Sequence, residues 1–103
     1  MNTKIELTFR RKVAHNRVNC RIWIEGAKLL QAGITAGDRF NWSIVDNAVV
    51  LVFNDTQHDK RKVSGNATRP IIDINSERLN SILGNDTHYN VTAIDSKLII
   101  TQA

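Results

Sequence analysis

Eleven of the chain's fourteen lysines and arginines fall in two windows, residues 10–28 and 60–78: Arg10, Arg11, Lys12, Arg17, Arg21 and Lys28, then Lys60, Arg61, Lys62, Arg69 and Arg78. Only Glu25, Asp73 and Glu77 oppose them there, so the windows carry a net +8 while the remaining residues carry −4. Cations so concentrated attract anions, and arginine adds a planar donor fork that matches phosphate and the guanine edge. Chemistry of other kinds has little to work with. His15, His58 and His88 lie far apart, Cys20 is alone, and no phosphate loop, nucleophile elbow or zinc-protease motif occurs. The sequence therefore predicts a binding protein with no enzymatic activity, no metal and no cofactor.

The two windows are copies of one pattern. Arg11-Lys12-Val13-x-x-Asn16 returns fifty residues later as Arg61-Lys62-Val63-x-x-Asn66, and the same shift sets Ile22, Ile24 and Leu29 over Ile72, Ile74 and Leu79. After one deleted residue, Val45, Asp46 and Val50 fall over Ile94, Asp95 and Ile99. A chain of 103 residues is short for two independent cores. The expectation is one domain, 1–103, built from two units, 4–54 and 55–103, joined at the polar run Asn54 to Asp59. No run of eighteen apolar residues or signal-peptide core occurs, which predicts a cytoplasmic protein.

Each unit must position its basic residues with the same elements. Ile5, Leu7 and Phe9 alternate with polar residues, as on a half-buried strand that runs on to Val13. This strand suits completion of the chain's own sheet, or a contact in a homodimer. His15-Asn16-Arg17 reads as a loop, followed by a strand over 21–24 with Ile22 and Ile24 on one face and Arg21 and Trp23 on the other. Residues 25–32 predict a two-turn helix that packs Leu29 and Leu30 and ends at Gly33. A hairpin follows, with Phe40, Trp42 and Ile44 toward the core, Asp46-Asn47 at the turn and 48–53 returning.

The second half repeats the plan: a strand over 60–63, a loop over 64–67 and a strand over 71–74 in which Pro70 limits hydrogen bonding. A helix capped by Asn75 or Ser76 then packs Leu79, Ile82 and Leu83 and ends at Gly84. The last hairpin pairs Tyr89, Val91 and Ala93 with Leu98 and Ile100 across Asp95-Ser96. Two units related by a twofold axis would bring the Arg-Lys dipeptides into paired clusters.

This order of elements, over residues 10–53 and again 60–101, resembles the AbrB-type (SpoVT-AbrB) DNA-binding domain. The resemblance implies a mainly β fold with two short helices, a swapped-hairpin barrel formed as a pseudo-dimer within one chain. It also implies a transcriptional regulator of double-stranded DNA whose basic first strands and loops make the contacts. By position these are Arg11, Lys12 and Arg17 in the first unit and Arg61 and Lys62 in the second, with Arg10, Arg21, Lys60 and Arg69 extending the surface. The family's usual loop glycine and following proline are replaced: Asn16 and Asn66 stand near the first place, Glu25 and Asn75 at the second. The competing expectation is a protein-binding module of the same fold, an inhibitor, adaptor or antitoxin.

Overall fold

The computed structural model describes residues 6–54 and 61–103. They form a mainly β protein with two short helices. In the first half, β1 (Leu7–Lys12), β2 (Ala14–Asn16) and β3 (Asn19–Glu25) lead to helix α1 (Ala27–Gln31) and the hairpin β4 (Arg39–Val45) and β5 (Ala48–Phe53). The second half runs β6 (Arg61–Lys62), β7 (Ser64–Asn66) and β8 (Arg69–Asn75), then a 3₁₀ turn (Glu77–Leu79) that continues as α2 (Asn80–Leu83), then β9 (His88–Ile94) and β10 (Lys97–Gln102). The strands build a six-stranded sheet in the order β1-β9-β10-β5-β4-β6 and a four-stranded sheet in the order β2-β3-β8-β7.

The strand pairing interleaves the halves. In β3 and β8 Trp23 lies opposite Asp73, its equivalent fifty residues on, and in β5 and β10 Val50 lies opposite Ile99, its equivalent after the deletion. Equivalent residues face one another only where an antiparallel pair straddles a twofold axis. The outer pairings obey the same symmetry: Arg11 faces Tyr89 and Lys12 faces His88, while Arg61 faces Phe40 and Lys62 faces Arg39. Thus β1 completes the second half's hairpin and β6 adds to the first half's. The alternation seen before Arg10 serves the chain's own sheet, with Leu7 and Phe9 turned toward the core. Ile5 lies outside the described residues.

One cluster of buried side chains takes residues from both halves: Ile22, Ile24, Ile72 and Ile74 from the central strands, Leu29, Leu79 and Leu83 from the helical segments, and Phe40, Leu51, Tyr89 and Leu98 from the hairpins. Trp42 and Ile44 pack against this cluster while remaining only partly buried. Helix α1 is shorter than 25–32. It ends in a Schellman motif, with Gly33 at φ 80°, the Gly33 amide on the Leu30 carbonyl and the Ile34 amide on the Leu29 carbonyl. Leu30 does not pack as expected and stays 38% exposed. Its equivalent, Asn80, instead ties the halves: the side-chain oxygen accepts from the Cys20 amide at 2.8 Å and the side-chain amide donates to the Val18 carbonyl at 3.3 Å. Ser76 caps the second helical segment by accepting from the Arg78 amide.

Both segments expected to be turns or loops are strand except at their last residues, Arg17 and Ala67, which lie in turns. His15 and Asn16 belong to β2 and pair with Cys20 and Asn19, so the turn falls on Arg17 and Val18; Ser64, Gly65 and Asn66 form β7 and pair with β8. Polar edge strands of three residues carry no alternating apolar pattern, and that hides them from a sequence reading. Gly65, at φ 87°, is required there because a Cβ would collide with the Arg69 carbonyl.

The hairpin turns fall where expected. Asp46-Asn47 and Asp95-Ser96 both hold the left-handed pairs of type I′ turns, at φ 50° and 63° in each. Serine is the least suited of the four, since only glycine and, less freely, asparagine or aspartate adopt this region at low cost. Ser96→Gly is expected to stabilise the protein by about 0.5–1 kcal/mol, read as a rise in melting temperature. The Ser96 carbonyl, which accepts from the Phe53 amide at 3.0 Å, is retained in the variant.

Candidate nucleic-acid interface

Side chains alternate across a strand, so an Arg-Lys dipeptide cannot point one way. On β1, Leu7, Phe9 and Arg11 share the inward-facing side, and Arg10 and Lys12 are exposed on the other. On β6 the symmetry gives Arg61 the place of Arg11 and Lys62 that of Lys12, both exposed. The expected pair of Arg-Lys clusters is therefore split by face, and β1 and β6 are the two edges of the six-stranded sheet, across which the twofold relates Arg11 to Arg61 and Lys12 to Lys62. Lys60 lies outside the described residues. Arg17 is exposed at the tip of the β2–β3 hairpin with φ 60°, beside Val18, which is 86% exposed.

At the twofold axis the charges are paired. Arg21 donates from Nε to Asp73 Oδ1 at 2.7 Å and from its terminal nitrogen to Oδ2 at 2.8 Å, while its guanidinium carbon lies 4.7 Å from the centre of the Trp23 ring. Trp23 is half-buried, and the arginine of its own strand covers its ring. Arg69 is joined to Glu25 at 3.0 Å. These two arginines, placed on the basic surface from sequence, are thus held by acids from the facing strand, because Asp73 and Glu25 share the outward side of the same sheet. Arg10, Arg11, Lys12, Arg17, Arg61 and Lys62 have no such ion-pair partner among the described residues.

The fork from Arg21 holds the Asp73 carboxyl below the usual carboxylate range, against a smaller opposing effect of burial, and Arg61 adds a weaker pull in the same direction. A depressed folded-state pKa contributes stability that is present above the unfolded pKa, near 4, and is lost as pH falls through the folded value. Asp73→Asn should therefore melt below the parent protein at neutral pH. The gap should close below about pH 4 in a series of melts from acid to neutral.

Arg61 and Arg78 both approach Trp42, with guanidinium carbons 5.9 Å and 4.7 Å from the ring centre. The indole supplies an electron-rich face to each cation, which steadies long side chains without neutralising them. In the first half Arg11 lies 4.8 Å from the centre of the Phe9 ring and close enough to the buried Tyr89 phenol to act on it. Burial nonetheless raises that phenol to about 12, and the approach of the Trp23 backbone falls outside hydrogen-bonding geometry.

Two residues join this surface that the sequence did not single out as contacts. Arg78 belongs to the second basic window, and nothing in its place before the helix signals that it reaches Trp42. Arg39 lies outside both windows, yet it stands directly across from Lys62. The available signal was the symmetry itself, which sets Arg39 over His88, the partner of Lys12. Compared with family models, curated proteins and solved structures, the chain has no match.

Proposed function

We propose that this protein binds duplex DNA as a transcriptional regulator, with two AbrB-like units interleaved in one chain and their basic first strands at the contact. The observation that carries the reading is the symmetric placement of Arg11 and Lys12 on β1 and of Arg61 and Lys62 on β6, each strand paired with a hairpin of the other half. A duplex presents phosphates on two strands related by local dyads, so a protein whose basic edge strands are related by its own twofold axis matches it in symmetry as well as charge. The exchange of strands between halves supports the swapped-hairpin arrangement of that family. The hairpin tips differ, Arg17-Val18 against Ala67-Thr68, so the site would be approximately palindromic.

The test is titration of a labelled duplex by fluorescence anisotropy across a salt series. Phosphate contacts displace condensed counterions, and log affinity should fall linearly with log salt. Absence of binding at low salt would overturn the proposal. Selection from a random duplex pool then reads the preferred sequence and whether it has one half or two.

A further inference from the structure

Residues of both halves line an open cleft of about 490 Å³: Ala36 and Gly37 from the first, Lys62, Val63, Ser64 and Gly65 from the second. Small residues make the room. The twofold relation sets Asn85, Asp86 and His15 over Ala36, Gly37 and Gly65, so three larger side chains stand at the twofold-related place. One of them, Asp86, has a buried carboxylate oxygen without a hydrogen-bond partner, which makes that place hostile to an anion.

The cleft itself has the opposite character: among the described residues Lys62 lines it and no acid does, and Arg39 stands outside the lining, across from Lys62. Arg39 and Lys62 lie directly opposite each other on β4 and β6, both exposed, and neither makes an ion pair among the described residues. Like charges in direct cross-strand register destabilise a sheet unless something neutralises them. The neighbouring acid, Asp38, is already engaged: its carboxylate accepts from the Thr35 amide at 2.9 Å and from the Asn54 side chain at 3.4 Å. Ser64 donates its hydroxyl proton to the Ile71 carbonyl at 3.3 Å, so that proton is already engaged.

We infer that this cleft seats a single phosphate group, clasped by Lys62 and Arg39, and that the twofold-related place lacks such a seat. Where the phosphate belongs to a duplex, the inference deepens the DNA-binding reading; the seat would also take the phosphate of a free phosphorylated molecule. Its consequence on DNA is asymmetry: one side of the twofold axis anchors a backbone phosphate in a cleft and the other does not.

The experiment is to titrate the isotope-labelled full chain separately with a 20-base-pair duplex and with inorganic pyrophosphate at constant ionic strength, following the Gly37, Ser64 and Gly65 amides by NMR. Saturable shifts are expected. Lys62→Gln and Arg39→Gln should each weaken duplex binding about eightfold at 0.1 M salt and lower the salt slope by about one. Ser64→Asp, which adds a negative charge to the cleft wall, should remove the response while the spectrum stays dispersed. A response to duplex alone assigns the phosphate to nucleic acid. Pyrophosphate alone assigns it to a free ligand, leaving the seat intact while the DNA reading fails. The inference is overturned if neither probe moves these amides, or if both glutamine variants bind as the parent does.

Discussion

Replacing Arg11, Lys12, Arg61 and Lys62 together by alanine is expected to lower duplex affinity by roughly three to four orders of magnitude at 0.1 M salt, the loss that four counterion-releasing contacts produce. The salt slope should fall by about four at the same time. The fold should survive, because Lys12, Arg61 and Lys62 are exposed and none of the four is in an ion pair among the described residues. The stacking of Arg11 on Phe9 and Arg61 on Trp42 accounts for about 0.5–1 kcal/mol each at exposed sites. A melt therefore separates lost binding from lost structure. Splitting the set sharpens the result: Arg11→Ala with Lys12→Ala, and Arg61→Ala with Lys62→Ala, should each remove about half of the slope if both halves engage one duplex. A slope carried entirely by one pair would show that only one half touches DNA, and an unchanged slope would remove the strand ends from the interface.

The duplication, the hairpins and most of the core were legible in the sequence because each leaves a periodic trace. Alternation marks Tyr89, Val91 and Ala93, paired left-handed residues mark the turns, and the fifty-residue shift finds Ile22 and Ile24 over Ile72 and Ile74. Pairing leaves no such trace. Nothing in the order of apolar residues says that β1 joins β9 rather than the hairpin of its own half, since either partner would bury Leu7 and Phe9. The site was legible in charge and hidden in geometry for the same reason. The windows located Arg21 and Arg69, but their neutralisation depends on which strand lies beside them, and only the β3–β8 pairing brings Asp73 and Glu25 into reach. Arg39 lies outside both basic windows, and the β4–β6 pairing alone sets it against Lys62.

Interleaving has a consequence for the halves taken apart. Residues 1–54 alone should show no cooperative unfolding transition as a monomer, since β3, β5 and β1 lose β8, β10 and β9, and Ile22, Ile24, Val49 and Leu51 lose the layer that buries them. Adding residues 55–103 should restore the transition and a complex with the size of the parent. Each half can also meet a second copy of itself, because equivalent residues already face one another at the axis. The two self-pairings are not equal. In a β3–β3 pair centred on Trp23, Arg21 would lie opposite Glu25 on both sides of the axis, an attractive register. In a β8–β8 pair Asp73 would lie opposite Asp73, a repulsive one. The first half should therefore dimerise at lower concentration than the second in sedimentation equilibrium, and Asp73→Asn should narrow the difference. A monomeric 1–54 fragment that melts cooperatively would show that strand exchange is not what holds this fold together.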